Sequence, residues 1–233
     1  MTNIYLDLYP YSLFFKCYHV NEIDSTNSFL KNTHILFPDH SVLIADIQTK
    51  GRGRFERVWE SNDDICFSIV FKKHFNNQLI APLAINLALI ELGLSPKIKW
   101  PNDIYCDNKK LCGILIEDIY ESEFQASIIG IGINMNSKEK FNAVGIRDFI
   151  NIDKNKVISA ILESYQRVLL LDNEKIIEEY VKNSMVIGKN IVYQGIEYQA
   201  IGITHEGYLV LMHNGERHVV ACDEITLHDA LIK

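Results

Sequence analysis

Residues 41–71 read SVLIADIQTKGRGRFERVWESNDDICFSIVF, with an apolar run on either side of a loop rich in arginine. The runs at residues 41–49 and 65–71 are apolar and β-branched, which is typical of strands. The pattern therefore predicts a strand, a loop and a second strand. A loop held by a rigid sheet is a favourable place for binding a ligand.

The loop at residues 49–61, called the arginine loop from here on, has the composition of an anion-binding site. Gly51 and Gly53 can adopt positive φ and leave no side chain in the way of a ligand. Forked, permanently charged donors come from three arginines, Arg52, Arg54 and Arg57. Trp59 can stack on a base or a guanidinium. A solvated arginine loop or a weak nucleic-acid contact has the same composition, so the loop alone leaves the function open.

The neighbouring segments predict a mixture of strands and helices. Residues 20–23 resemble a short strand, and Asp24 or Ser25 can cap a helix that runs to Asn32. Helical apolar spacing predicts three further helices, at residues 78–92, 154–171 and 173–183. Three strand-like runs fall within residues 99–134.

The chain changes character after Ser184. Short strand patterns alternate there with turn sequences, Gln194-Gly195, His205-Glu206-Gly207 and Asn214-Gly215. The Asn-Gly pair is a strong hairpin signal, and about fifty residues of antiparallel meander predict a small closed barrel. We therefore divide the chain into a first domain, residues 1–184, and a β-barrel domain, residues 185–233.

The composition argues against several classes of protein. The chain has 233 residues, 48% hydrophobic content and a net charge of -7, which disfavours broad binding to nucleic acid or anionic membranes. The longest apolar segment, residues 79–94, is interrupted by polar residues and is shorter than the ~20 residues of a membrane span. The N-terminus lacks the basic region of a signal peptide. We expect a soluble, cytoplasmic protein.

The cysteines and histidines predict no metal site. The five cysteines are scattered without a Cys-x-x-Cys pair, a pattern that favours reduced structural thiols in a cytosol. None of the eight histidines has a metal-ligand spacing, and the sequence contains neither a P-loop nor a Gly-x-Ser-x-Gly elbow.

Four more motifs stand in a fixed order around the arginine loop. They are Asp24-Ser25-Thr26-Asn27, Lys99-Trp100-Pro101-Asn102-Asp103, Lys110-Leu111-Cys112-Gly113-Ile114-Leu115-Ile116-Glu117 and Gly130-Ile131-Gly132-Ile133-Asn134. Any one of them is common by chance, but five motifs in one order are specific. From about Tyr18 to the C-terminus, the chain closely resembles the biotin protein ligase family, also called biotin–[acetyl-CoA-carboxylase] ligases.

The resemblance implies a fold and a reaction. The fold is α+β, with a mixed β-sheet flanked by helices and a small C-terminal SH3-like β-barrel. In the reaction, biotin and ATP with Mg²⁺ give biotinyl-5′-AMP and pyrophosphate, and biotin then passes to a lysine of the biotin carboxyl carrier protein with release of AMP. Such a site must bring a carboxylate to the α-phosphate and shield the adenylate from water. No enzyme nucleophile is required.

The resemblance also assigns roles to individual residues. The predicted biotin site consists of Ser25, Thr26, Asn27, Gln48, Gly51, Arg52, Gly53, Arg54, Lys110 and Gly113. The predicted nucleotide site consists of Arg54, Arg57, Trp59, Lys99, Asn102, Asp103 and Asn134, with Asp103 as a ligand of Mg²⁺. Lys110 and Arg54 are the predicted catalytic residues.

Several of these residues also have a purely structural interpretation. Residues 25–27 can be a simple helix cap, residues 99–103 a turn at a proline, and Asn134 a turn residue at a strand end. Of two adjacent lysines on a strand, only one faces a site. The resemblance places the functional lysine directly before Leu-Cys-Gly-Ile-Leu, and in this chain that position is Lys110 and not Lys109.

The arginine loop departs from the family at two positions. Where the family has Arg or Lys followed by Gly, this chain has Phe55 and Glu56. The exchange removes a cation, adds an anion beside Arg54 and Arg57, and replaces a flexible residue. We expect it to affect how tightly the loop retains the adenylate.

Other functions fit parts of the same pattern. A lipoate ligase or lipoyl/octanoyl transferase shares the fold, although the Gly-Arg-Gly-Arg and Lys-Trp-Pro-Asn-Asp strings favour biotin. A non-catalytic biotin-binding or sensing protein would fit the altered loop. Only 24 residues precede Ser25, too few for the DNA-binding domain of family members that repress transcription, so we expect a monofunctional ligase that binds no DNA. The sequence does not decide between a monomer and a homodimer.

Overall fold

A mixed sheet of eight strands forms the centre of the protein. The computed structural model describes residues 5–6, 13–61, 63–221, 223 and 225–227. The strands are β1 (Tyr5–Leu6), β2 (Lys16–Ile23), β3 (Ser41–Gln48), β4 (Ile65–Phe71), β5 (Lys97–Lys99), β6 (Asp103–Cys106), β7 (Lys109–Tyr120) and β8 (Phe124–Ile133). Their order is β1-β2-β3-β4-β8-β7-β6-β5. Strands β2 and β3 run parallel and the other neighbours run antiparallel.

Helix α1 (Thr26–Thr33) connects the two parallel strands. Ser25 stands at its N-cap, where Oγ accepts a hydrogen bond from Ser28 N at 3.3 Å. The bond satisfies one of the free N–H groups at the start of the helix. The strand and the helix cap predicted for residues 20–25 are confirmed.

Three further helices cover the other face of the sheet, α2 (Asn77–Glu91), α3 (Lys154–Val168) and α4 (Asn173–Asn183). Along β3, Val42 and Ile44 pack into the core that includes these helices, whereas Leu43 and Ala45 pack with Leu30 of α1. Consecutive strand residues point to opposite faces, so the sheet has helices on both sides. The predicted α+β fold with a mixed sheet is confirmed.

The arginine loop closes as a ribbon between β3 and β4. Trp59 N donates to Gly51 O at 2.9 Å. At its tip, residues 54–56 make a short 3₁₀ turn, and Phe55 has a left-handed backbone with φ at 53°. The side chain of Glu56 lies outside the described part of the structure. The predicted loop between two strands is confirmed.

A second sheet of five antiparallel strands follows Ser184. Its strands are β9 (Asn190–Tyr193), β10 (Ile196–Ile203), β11 (Leu209–His213), β12 (Glu216–Val220) and β13 (Thr226–Leu227), in the order β12-β11-β10-β9-β13. Asn214 and Gly215 form the turn between β11 and β12 with φ at 50° and 83°, the geometry that this pair favours. The predicted SH3-like meander is confirmed, and β13 is a strand that the sequence pattern did not reveal.

The turn between β10 and β11 is hydrogen-bonded to two residues of the first part of the chain, the N-cap of α2 and the turn between β5 and β6. Buried Trp100 donates from Nε1 to Gly207 O at 3.0 Å, and Asn76 Nδ2 donates to His205 O at 2.5 Å. Trp100 belongs to the Lys-Trp-Pro-Asn-Asp motif, so the motif connects the two parts of the chain. The division at residue 184 stays a prediction.

Two further expectations concern the thiols and the membrane. Cys17, Cys66, Cys106 and Cys112 are buried and form no disulfide within the described ranges, while Cys222 lies outside them. In the part of the chain that the structure describes, no helix is long and apolar enough to cross a membrane.

Candidate active site

A cavity of about 300 Å³ opens between helix α1, the arginine loop and the strands β7 and β8. Most of the predicted site residues line it, namely Ser25, Thr26, Asn27, Gln48, Arg52, Gly53, Arg54, Arg57, Trp59, Asn102, Asp103, Lys110, Gly113 and Asn134. Apart from Gln48, at the end of β3, they come from five separate motifs of the sequence. The fold therefore brings these motifs together around one space.

Thr26, Gln48 and Ser68 form a hydrogen-bonded cluster at one end of the cavity. Gln48 Oε1 accepts from Thr26 N at 2.8 Å and from Thr26 Oγ1 at 3.1 Å, and Ser68 Oγ lies 2.7 Å from Thr26 Oγ1. Ser61 Oγ bonds to the backbone N and O of Gln48, both at 3.0 Å. Ser25 caps α1 and also lines the cavity, so both interpretations of it fit. Ser68 was missed because it lies inside an apolar strand.

Glu117 on β7 bonds to two of the side chains that line this end of the cavity, Asn27 and Arg52. Its Oε2 accepts from Asn27 Nδ2 at 2.6 Å and from Arg52 at 3.1 Å, and its Oε1 accepts from Lys31 Nζ at 2.8 Å. Burial pushes the pKa of this carboxyl upward, but the bonds from Lys31 and Asn27 and the charge of Arg52 hold it below its ordinary value. The carboxylate is therefore ionised at neutral pH. Sequence reasoning gave Glu117 no role, although a carboxylate after an apolar run was a usable signal.

Arg54 of the arginine loop is anchored to the Lys-Trp-Pro-Asn-Asp motif. Its guanidinium donates to Asn102 Oδ1 at 3.1 Å, and Asn102 Nδ2 donates to Ile114 O at 2.6 Å. The guanidinium also lies 4.8 Å from the centroid of the Phe55 ring, within range of a cation–π contact. Asn102 thus links the Arg54 guanidinium to the backbone of β7, and the guanidinium lines the cavity.

Lys110 reaches the cavity because β7 contains a bulge. In a regular strand, Lys110 and Gly113 would point to opposite faces. The pairing with β6 passes from Lys110 to Cys112 and skips Leu111, which changes the alternation. Lys110 and Gly113 therefore both line the cavity, whereas Lys109 is exposed. The catalytic role of Lys110 stays a prediction.

Glycines on β7 and β8 form the floor of the cavity. A Cβ at Gly130 would lie 2.6 Å from Asn27 Oδ1, and a Cβ at Gly132 would lie 2.4 Å from the Trp59 ring. A Cβ at Gly113 would lie 3.0 Å from the same ring. Larger residues here would displace the side chains that line the cavity. Gly130 and Gly132 were recognised as part of a motif, but neither was predicted as a site residue.

Two lysines lie against the indole of Trp59. Lys110 Nζ is 5.9 Å and Lys138 Nζ is 5.5 Å from a ring centroid of Trp59, a cation–π distance. Lys138 also forms an ion pair of 2.5 Å with the buried carboxylate of Asp64. Asn134, nearby, donates from Nδ2 to Lys110 O at 3.3 Å. Lys138 lines the cavity and was missed because nothing in its spacing distinguishes it from a surface lysine.

Lys99 and Gly51 belong to the predicted set but are not among the described residues that line the cavity. Lys99 Nζ donates to Tyr105 Oη at 3.2 Å and lies 4.9 Å from the Tyr105 ring centroid. Gly51 is a buried residue of the arginine loop, where a Cβ would lie 2.5 Å from Trp59 O. Their ligand contacts stay predictions, and the structure gives Gly51 a packing role.

The two ends of the cavity differ in chemistry. At one end, Thr26, Asn27 and Gln48 offer neutral hydrogen-bonding groups, and the ion pair of Arg52 and Glu117 contacts Asn27 there. The other end carries Arg54, Lys110 and Lys138 beside the ring of Trp59. Fold and site together indicate the class of small-molecule-binding protein whose ligand carries hydrogen-bonding groups and an anionic group.

Comparison with known proteins agrees with this class. Residues 20–134 match the model of the Biotin/lipoate A/B protein ligase family. The bifunctional ligase/repressor BirA of Bacillus subtilis (strain 168) is 30% identical, and the similarity covers 88% of this chain and 73% of that protein. Biotin–protein ligase 2 of Arabidopsis thaliana is 27% identical, over 81% of this chain and 67% of that protein.

A solved structure extends the similarity to three dimensions. The biotin protein ligase from Aquifex aeolicus in complex with biotin and ATP has a TM-score of 0.74 with this chain at 26% identity, covering 91% of this chain and 98% of that one. The chain belongs to the biotin/lipoate A/B protein ligase family, and within it resembles biotin protein ligases over most of its length.

Proposed function

We propose that this chain is a biotin protein ligase that attaches biotin to a lysine of the biotin carboxyl carrier protein of acetyl-CoA carboxylase. Biotin and ATP first give biotinyl-5′-AMP and pyrophosphate. The acceptor lysine then attacks the carbonyl carbon of the mixed anhydride and releases AMP. The observation that carries the proposal is a single cavity with a hydrogen-bonding end at Thr26 and Gln48 and a cationic end at Arg54 and Lys110.

The hydrogen-bonding end suits the ureido head of biotin, which accepts at its carbonyl and donates from two N–H groups. The mutual bonds of Thr26 and Gln48 hold these side chains in place before a ligand arrives. Ser25 and Asn27 add further oxygen atoms at the same end. A site built from polar groups rejects ligands that leave those groups unpaired. It therefore favours biotin over lipoate, whose dithiolane ring makes no such bonds.

Lys110 and Arg54 serve the carboxylate end. The compact ammonium of Lys110 can hold the biotin carboxylate and offset the negative charge that builds as this carboxylate attacks the α-phosphorus. Arg54, anchored by Asn102, offers a second cation to the same oxygens. Loss of one donor of this kind typically costs about 3 kcal/mol of transition-state stabilisation.

Asp103 is the proposed protein ligand of Mg²⁺. Across the described ranges, no group of three or more His, Cys, Asp or Glu side chains is arranged to hold a metal ion. Mg²⁺ that binds with a nucleotide, however, uses phosphate oxygens and waters with only one or two carboxylates. Asp103 offers one carboxylate to the cavity, so the residues fit this mode. The bound ion would offset phosphate charge.

The remaining proposed contacts with the nucleotide lie at the aromatic and cationic end of the cavity. Trp59 and Asn134 are the proposed contacts of the nucleoside, and Arg57 is a proposed contact of the phosphates. All three line the cavity. The indole offers a flat face for stacking, and the amide of Asn134 can both donate and accept.

The buried thiols beside the cavity are poor nucleophiles. Burial raises the pKa of the Cys66 thiol to about 11, and burial also raises the pKa of Cys112. Thiolates at these positions are therefore scarce at neutral pH. This favours direct attack by the acceptor lysine over a covalent enzyme intermediate.

The proposed setting is the cytoplasm, where ATP and acceptor proteins are present. The free, buried thiols support this setting, and the net charge of -7 supports an enzyme that binds neither DNA nor a membrane. In this proposal, residues 1–184 carry the catalytic site and residues 185–233 form the attached barrel.

Pyrophosphate exchange into ATP tests the proposal. We expect exchange only when biotin and Mg²⁺ are both supplied, and transfer of labelled biotin when a biotin carboxyl carrier domain is added. Exchange with lipoate or octanoate and none with biotin would identify the alternative ligase. Tight biotin binding without exchange would identify a sensing protein. Either result contradicts the proposed reaction.

A further inference from the structure

Glu117 contacts the side-chain amide of Asn27, and this contact decides which end of the amide faces the cavity. Asn27 Nδ2 donates to Glu117 Oε2 at 2.6 Å. An ionised carboxylate only accepts hydrogen bonds. Asn27 must therefore turn its NH₂ group toward Glu117 and its Oδ1 away from it.

The oxygen of this amide has no protein donor. Asn27 Oδ1 is buried and finds no hydrogen-bond partner among the residues that the structure describes. It lies 2.6 Å from the point that a Cβ of Gly130 would occupy, and both residues line the cavity. A buried oxygen without a donor is costly. We expect a ligand N–H group to satisfy it.

Two cations keep Glu117 in the form that only accepts. Lys31 Nζ lies 2.8 Å from Oε1, and Arg52 donates to Oε2 at 3.1 Å. Arg52 is itself held by Ser28 Oγ at 3.1 Å. Opposite charges at this distance favour the ionised carboxylate, so contacts within the protein set the orientation of Asn27 before a ligand arrives.

We propose that Glu117 is a positioning residue that holds Asn27 as a hydrogen-bond acceptor and thereby selects ligands with an N–H group at this point. The inference rests on the proposed biotin function and adds a basis for its selectivity: one ureido N–H of biotin donates to Asn27 Oδ1. After Glu117→Gln, the side chain offers both a donor and an acceptor. Asn27 can then bind it in either orientation.

Binding of biotin and of two carbamate analogues, each with one ureido N–H replaced by oxygen, tests this role by isothermal titration. In the parent protein, the analogue whose oxygen faces Asn27 should bind roughly 100-fold more weakly than biotin. The reason is that Asn27 Oδ1 and the ring oxygen of the analogue are both acceptors, and neither carries a hydrogen to share. Glu117→Gln should reduce this ratio to roughly tenfold, because Asn27 can rotate and donate. A general structural defect would weaken biotin and analogue alike and leave the ratio unchanged, which would overturn the proposal.

Asp118→Asn is the matched control. It removes one negative charge at the next position of β7. The exposed side chain of Asp118 accepts a hydrogen bond from Ser127 and is not among the described residues that line the cavity. We expect it to leave the ratio as in the parent protein. A ratio that falls as much in Asp118→Asn as in Glu117→Gln would argue against a role specific to Glu117.

Replacement of Asn27 keeps the proposal testable even if Glu117→Gln fails to fold. Asn27→Ala alone should bring the ratio close to one, and in the double variant Glu117→Gln should then change it no further. A ratio that stays near 100-fold in Asn27→Ala would overturn the proposal. A parent protein that binds neither biotin nor analogues contradicts the proposed function, whereas tight biotin binding without discrimination contradicts only the role of Asn27 and Glu117.

Discussion

Lys110 Nζ lies 2.7 Å from Asp103 Oδ1, across the pairing of β6 and β7. Both residues line the cavity, and both side chains are partly exposed, by 34% and 21%. An ion pair with this much exposure contributes only about 1 kcal/mol or less. A substrate carboxylate can therefore replace Asp103 as the partner of the Lys110 ammonium at a small cost in free energy. Before a substrate binds, the ion pair with Asp103 keeps the ammonium at the cavity.

Lys110→Ala should lower kcat/KM for biotin-dependent pyrophosphate exchange by roughly 100-fold or more, because a cation that opposes developing charge is lost. Lys109→Ala is the control, since Lys109 is exposed on the same strand. We expect its exchange rate to stay close to that of the parent protein. Equal losses in the two variants would remove Lys110 from its catalytic role.

Gly132→Ala should disturb the aromatic end of the cavity. The new Cβ would lie 2.4 Å from the Trp59 ring, so the indole or the strand must move, at a cost of roughly 1–3 kcal/mol of folding stability. We expect a raised KM for ATP and a lower urea midpoint. Gly202→Ala is the control, because a Cβ there meets nothing within 4 Å among the described atoms. Similar effects of both substitutions would contradict the packing argument.

Trp100→Phe should weaken the contact between the β5–β6 turn and the β10–β11 turn. The exchange removes the donor of a buried 3.0 Å bond and leaves Gly207 O unsatisfied, which costs about 1–3 kcal/mol. Urea denaturation should show this loss, while Tyr120→Phe, at an exposed aromatic residue, should change the free energy of unfolding little. An unchanged urea midpoint in Trp100→Phe would show that this bond adds nothing to stability.

The contribution of Glu117 to stability should depend on pH. Its pKa in the folded protein is held below the ordinary 4.5, so folding favours the ionised form. The contribution is then fully present above the unfolded pKa and is lost as the pH falls through the lowered folded value. The difference in free energy of unfolding between the parent and Glu117→Gln should be constant from neutral pH down to about 4.5 and shrink at lower pH. A difference that grows toward acid would contradict this sign.

The sequence predicted those parts of the protein that depend on near neighbours. Asp24 or Ser25 was predicted to cap a helix, because a side-chain oxygen beside free N–H groups acts within three residues, and Ser25 is the cap. The turn at Asn214-Gly215 depends on two residues that tolerate positive φ. The strands around the arginine loop are visible in apolar patterns a few residues long. The five ordered motifs added the family, and with it a set of site residues.

Only the tertiary structure decided how distant side chains meet. The bulge that turns Lys110 into the cavity arises from pairing with β6, and the orientation of Asn27 depends on Glu117, 90 positions further along the chain. The same holds for Trp100, whose indole N–H donates to Gly207 O in the turn between β10 and β11. Local patterns carry information about backbone conformation, because they act through neighbouring residues. The choice of partner across a folded core depends on packing and register, which no short stretch of sequence contains.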